Sequence, residues 1–150
     1  MNTRALAAVA SLSLFATACP DFVKATGQPF STVGAVKDKA IVYFYRPAQR
    51  FMSDYAFFMS IPETENNCFK VASGGYWAHV ADPGTLNVMG ALTPSNYVRV
   101  SLDLKAGDER YVEIDIRDDK AVATEVSPAE AKSKIGATRQ GEVCGQKFKG

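Results

Sequence analysis

The chain has 150 residues, 47% of them hydrophobic, 22% charged and 11% aromatic, with a formal net charge of +1. That length suits one domain, and the balanced charge supplies neither the basic field that holds nucleic acid nor the acidic excess that keeps a chain unfolded. Charged residues recur throughout the chain after residue 18, which excludes a polytopic membrane protein.

Met1–Arg4 is a short segment with one positive charge, and Ala5–Phe15 is an apolar run of eleven residues followed by Ala16-Thr17-Ala18-Cys19. At 1.5 Å per residue the run rises about 16 Å, roughly half a hydrocarbon thickness. It is too short for a permanent transmembrane helix and has the tripartite shape of an export signal. An amphipathic first helix would need a polar face, and between Ala5 and Ala18 only Ser11, Ser13 and Thr17 are polar. Residues 1–18 are therefore expected to be a signal peptide. Ala16-x-Ala18 suits ordinary signal-peptidase cleavage. The small-small-Cys ending also resembles the lipobox of bacterial lipoproteins, in which the cysteine thiol receives a diacylglyceryl group and the chain is cut before it. Ala16 stands where that family most often has Leu. Lipidation of Cys19 with palmitate-like chains is the expected outcome, and cleavage after Ala18 without lipid is the alternative.

The cysteine count bears on the same choice. Three cysteines would leave one free thiol in an oxidising compartment. If lipid consumes Cys19, Cys68 and Cys144 remain as an even pair. A disulfide between them would close a loop of about 75 residues, worth about 4 kcal/mol in chain entropy.

Residues 19–38 carry Pro20, Gly27, Pro29 and Gly34 with no sustained period and are expected to be a flexible tether. The nineteen residues after Cys19 would span about 24 Å root-mean-square. The run Ala40–Tyr45 is β-branched and aromatic and ends at Arg46-Pro47, where proline forbids further central pairing. Tyr55–Ile61 is a second strand, closed by Pro62 and a polar turn over 63–67. Cys68–Ala72 and Tyr76–Val80 flank Ser73-Gly74-Gly75, a hairpin signal. Asp82-Pro83-Gly84 is the next turn, and Thr85–Ala91 the next strand. Tyr97–Leu104 alternates strictly, with Val98, Val100, Leu102 and Leu104 inward. After the turn at 105–108, the run Tyr111–Ile116 repeats the pattern with Val112, Ile114 and Ile116 inward. Val122, Thr124 and Val126 form a weaker strand. Ser127-Pro128-Ala129-Glu130 reads as a capped helix start, and Gly136 as its end. Seven or eight short strands at spacings often near ten residues predict an all-β fold. An antiparallel β-sandwich or partly open barrel with one short C-terminal helix, spanning residues 39–136, is the expectation. Residues 137–150 would be a polar tail, ordered only if Cys144 is tied down.

Four segments of this set together resemble a domain-of-unknown-function family of small bacterial lipoproteins with a YxYRP strand. They are Tyr43-Phe44-Tyr45-Arg46-Pro47, Gly75-Tyr76-Trp77, Pro83-Gly84, and Leu102–Gly107 with Tyr111. Thr85-Leu86 departs from that family, which often has a His two residues after the Gly. The resemblance covers about half of the chain. It implies a cell-envelope β-sandwich lipoprotein and no reaction.

Residues suited to chemistry are few. His79 is the single histidine, the one side chain with an ordinary pKa near neutrality. A Cys68/His79 hydrolase would need a thiolate within reach of the imidazole, whereas Cys68 is better explained as half of a disulfide. His79 also alternates with Trp77 along one strand face, a routine place for a surface histidine. No catalytic set, metal set or cofactor motif emerges: Asp108, Glu109, Asp115, Asp118 and Asp119 lack the spacing of a Ca²⁺ loop. The aromatics are more telling. The strand from Ile41 to Tyr45 is apolar on both faces, so either the helix at Ser127 or the tail covers its second face, or Tyr43, Tyr45, Arg46 and Trp77 form a binding surface. The expected protein is a lipid-anchored, non-enzymatic envelope module, held in the membrane through Cys19 and facing the periplasm or cell surface. Its partner would be an envelope protein or peptide. The alternatives are a secreted, unlipidated binding protein and a small hydrolase using His79.

Overall fold

Period-two patterning becomes two stacked five-stranded sheets in the computed structural model, which describes residues 25–49, 55–62 and 68–144. The expected signal peptide, Cys19, the first residues of the tether and the last six residues lie outside the described residues. The strands are β1 (Ala40–Arg46), β2 (Phe57–Ser60), β3 (Cys68–Val71), β4 (Gly75–Ala81), β5 (Gly84–Thr93), β6 (Asn96–Leu104), β7 (Glu109–Arg117), β8 (Lys120–Val126), β9 (Arg139–Gln140) and β10 (Glu142–Val143). One helix, α1 (Pro128–Ile135), follows β8. The first sheet has the order β8-β7-β1-β4-β9 and the second β10-β3-β2-β5-β6. The architecture is the expected all-β sandwich with a short C-terminal helix.

The inward-facing residues are those the alternation marks. Ala40, Val42 and Phe44 of β1 and Val112, Ile114 and Ile116 of β7 meet Phe57, Met59, Phe69, Val88, Leu102 and Leu104 of the second sheet in one core. Phe69 bridges the layers, 5.6 Å from the Phe44 ring and 5.3 Å from that of Trp77. Gly90 faces Met59 closely enough that a Cβ there would strike the thioether sulfur, so the missing side chain makes room for the longer one.

The second face of β1 is buried too. Ile41, Tyr43 and Tyr45 join Tyr76, Tyr111 and, from α1, Ala131 and Ile135 in a second cluster, with Phe30 and Val33 packed against it. Ser127 caps α1 by accepting the Glu130 N–H, and Pro128 takes the first turn, where a missing donor costs nothing. The helix thus forms where local chemistry says it should, and its apolar pair covers the sheet.

Three expectations need correction. β3 and β4 are not a hairpin: the Ser73-Gly74-Gly75 link carries the chain from the second sheet to the first. Gly74 takes φ +71°, and Trp77 then stacks on Phe69 from the opposite layer. Pairing is also not wholly antiparallel, since β1 runs parallel to β7 and β4 parallel to β9. Finally, residues 25–33, assigned to the tether, are docked. Phe30 packs edge-on against Tyr43 and Tyr76, its N–H donates to the Thr138 carbonyl at 3.0 Å, and the Val33 N–H donates to the Tyr43 hydroxyl at 2.7 Å. The second face of β1 is large and apolar, and α1 alone is too short to shield all of it. Chain on both sides of α1 is therefore drawn down to exclude water.

Candidate functional site

Of the four residues expected to form a binding surface, Tyr43, Tyr45 and Arg46 are fully buried, so that assignment is corrected. Tyr43 and Tyr45 are roofed by α1 and Phe30. Arg46 shares the parity of Phe44 and turns inward, where its guanidinium lies 5.5 Å from the Phe57 ring and Nη1 donates to the Tyr55 carbonyl. Trp77 is half-buried in the main core. The YxYRP strand is therefore the shared wall of two cores.

The polar tips of the second core are satisfied from within. The Tyr45 hydroxyl donates to Glu113 Oε2 at 2.8 Å, Lys134 Nζ donates to the same oxygen at 2.7 Å, and Lys134 also reaches Glu130 at 3.1 Å. Tyr111 donates to Glu109. Burial, and then the adjacent carboxylates, hold the Tyr45 and Tyr111 phenols above their usual range. Burial does the same for Tyr43. Lys134 is raised by its bonds to Glu113 and Glu130. These bonds pin α1 to β7.

His79 is opposite Val42 on β4, which places it on the core side of the sheet and not on a wet face. Burial lowers its pKa, favouring neutral imidazole. Its proposed partner is unavailable as a thiolate, because Cys68 is bonded to Cys144 across a Cα–Cα distance of 5.3 Å. That disulfide ties β10 to β3, and the tail before it holds the docked arm. The Gln140 N–H donates to the Gln28 carbonyl at 2.8 Å, and Arg139 Nη1 to the Gly27 carbonyl at 3.3 Å. Tail and arm thus stabilise each other.

The surface best suited to a ligand lies on the opposite layer. Strand register aligns Phe58 with Ala91 and Ala91 with Tyr97, and it aligns Ser60 with Met89 and Met89 with Arg99. All six point away from the core, across three neighbouring strands. With Pro94 they line an open groove of about 600 Å³, within the usual size range of ligand sites. Phe58 is 40% and Tyr97 54% exposed, which is unusual for rings on one contiguous face. The Arg99 guanidinium sits 5.7 Å from the centre of the Tyr97 ring, and among the described residues it has no carboxylate partner. The strict alternation over 97–104 implies an outward Arg99 but does not reveal the groove. The available signal was Phe58, a large apolar residue on the parity opposite to Phe57 and Met59. Only the pairing of β2 with β5 shows that Tyr97 is its neighbour but one.

No protein-family model, curated protein or solved structure matches the chain.

Proposed function

We propose that the chain is a lipid-anchored cell-envelope lipoprotein, a non-enzymatic binding module that is exported, anchored through Cys19, and presents the outer face of the β2-β5-β6 layer for binding. The observation that carries the reading is the Cys68–Cys144 disulfide. It belongs to an oxidising compartment, as the apolar leader does, and it accounts for two of the three cysteines. The third, Cys19, follows Ala16-Thr17-Ala18 at the point where a lipoprotein would be cut and acylated. The resemblance of the YxYRP strand to lipoproteins agrees with this. The groove beside Phe58 and Tyr97 supplies the binding surface, in place of the buried Tyr43, Tyr45 and Arg46.

Radiolabelled palmitate tests the anchor. Label on the exported protein, lost in Cys19→Ser, is the expected result. An unlabelled, water-soluble product beginning at Cys19 with a free amine would instead favour the secreted reading that Ala16-x-Ala18 permits.

A further inference from the structure

We infer that the outer face of the second sheet, from Phe58 across Ala91 to Tyr97, lies on the surface of the bilayer itself. The inference rests on the reading of Cys19 as the lipid-bearing residue.

Reach makes the contact feasible. Six residues, 19–24, precede Ala25, and fully extended they span at most about 20 Å. Ala25 sits beside Lys70 and Glu142 at the β3–β10 margin, and Lys70 is the register partner of Phe58. From β3 across β2 and β5 to β6 is three strand spacings, about 14 Å. A domain whose arm is docked as far as Ala25 is therefore held close to the membrane, not about 24 Å clear of it as a free tether would allow.

Chemistry selects which side turns down. The helix side shows Glu130, Lys132 and Ser133 to solvent, while the opposite face shows the Phe58 and Tyr97 rings. Aromatic rings and the aliphatic stem of an arginine suit the headgroup boundary, where one end of each side chain is apolar and the other wet. Among the described residues no carboxylate pairs with Arg99, whose guanidinium sits over the Tyr97 ring, so its charge can meet a lipid phosphate. Among the described residues the flanking charges are Lys70 and Glu142 at one margin and, four residues along β6, Asp103, which accepts a hydrogen bond from Thr85 at 2.8 Å. With these charges nearly balanced, the rings and one arginine supply a modest contact of their own, which acyl chains on Cys19 strengthen by holding the domain nearby.

The test uses the full chain in its Cys19→Ser form, processed after Ala18. It is floated with vesicles of phosphatidylethanolamine and either phosphatidylglycerol or phosphatidylcholine. Measurable flotation with the anionic vesicles is expected. Phe58→Ser with Tyr97→Ser should lower the partition coefficient about tenfold. Arg99→Gln should lower it about fivefold on the anionic vesicles only. All three side chains point outward, so thermal unfolding should stay unchanged. Absence of flotation, or flotation indifferent to the two ring substitutions, would overturn the inference. So would concentration-dependent dimerisation abolished by them, which would assign the face to a second copy of the chain. Palmitate label on Cys19 without ring-dependent flotation would sink this inference and leave the anchor standing. Ring-dependent flotation without label would do the reverse.

Discussion

Replacing both members of the Cys68–Cys144 pair with serine removes a link between residues 76 apart in sequence. Closing a loop of that length lowers the entropy of the unfolded chain, and the chain-entropy relation puts the stabilisation at about 4.5 kcal/mol. For a folded unit of this size that is a fall of about 15 °C in Tm. Apart from the disulfide the tail is held by short pairings: β9 and β10 have two residues each, and the last described backbone bond is that of the Cys144 N–H to the Cys68 carbonyl at 3.0 Å. The docked arm depends on that tail, since Phe30 donates to Thr138, and Gln28 accepts from Gln140. Urea unfolding of the Cys68→Ser/Cys144→Ser protein should therefore show a lower midpoint. Hydrogen exchange should show early loss of protection at the Phe30 and Gln140 amides, ahead of β1 and β7. A stability change under about 1 kcal/mol would refute the entropic reasoning. Preserved protection at Phe30 and Gln140 would refute the coupling of arm to tail.

Alkaline pH should weaken the fold. The Tyr43, Tyr45 and Tyr111 phenols are raised by burial, so the folded chain holds their protons more tightly than the unfolded chain. Stability is complete below about pH 10 and falls above it by about 1.4 kcal/mol per pH unit for each phenol, until the folded-state pKa is passed. Urea midpoints at rising pH measure the slope, which Tyr45→Phe should make shallower; a flat profile would count against the burial of these hydroxyls. Gly27→Ala would drive a methyl into the Gln140 carbonyl and should cost about 1–2 kcal/mol. Faster proteolysis between residues 25 and 33 checks that. Ile135→Ala empties the fully buried contact of α1 with the sheet and should cost about 3 kcal/mol by denaturant titration, with the β-sheet circular dichroism retained in the folded baseline.

Local chemistry was legible wherever neighbours along the chain settle the matter. The alternation over 97–104 and 111–116 marks the inward residues, and Ser127 with Pro128 marks the helix start. Asp118 and Asp119, which lack Ca²⁺-loop spacing, both take positive φ, at 49° and 59°, and make the two-residue turn that pairs Arg117 with Lys120. Aspartate tolerates that backbone conformation far better than most residues, so the turn was readable in principle. The hairpin assigned around Gly74 failed because a glycine-rich link says that the chain turns, not which sheet it turns into.

From the chain alone came the expectation of a leader and of a lipid-bearing Cys19, together with the strand content, the capped helix and the even pair of remaining cysteines. The lipid on Cys19 is what the resemblance to a lipobox implies, and the others follow from composition, period or local backbone preference. Tertiary structure decided that the YxYRP strand is buried on both faces, that residues 25–33 are docked, and that the exposed rings lie on the opposite sheet. Those outcomes depend on which strands become neighbours, and strand order is set by long-range burial. Tyr45 and Tyr97 look equally suited to a surface in sequence. One is buried in the cluster beneath α1, whereas among the described residues nothing covers the other.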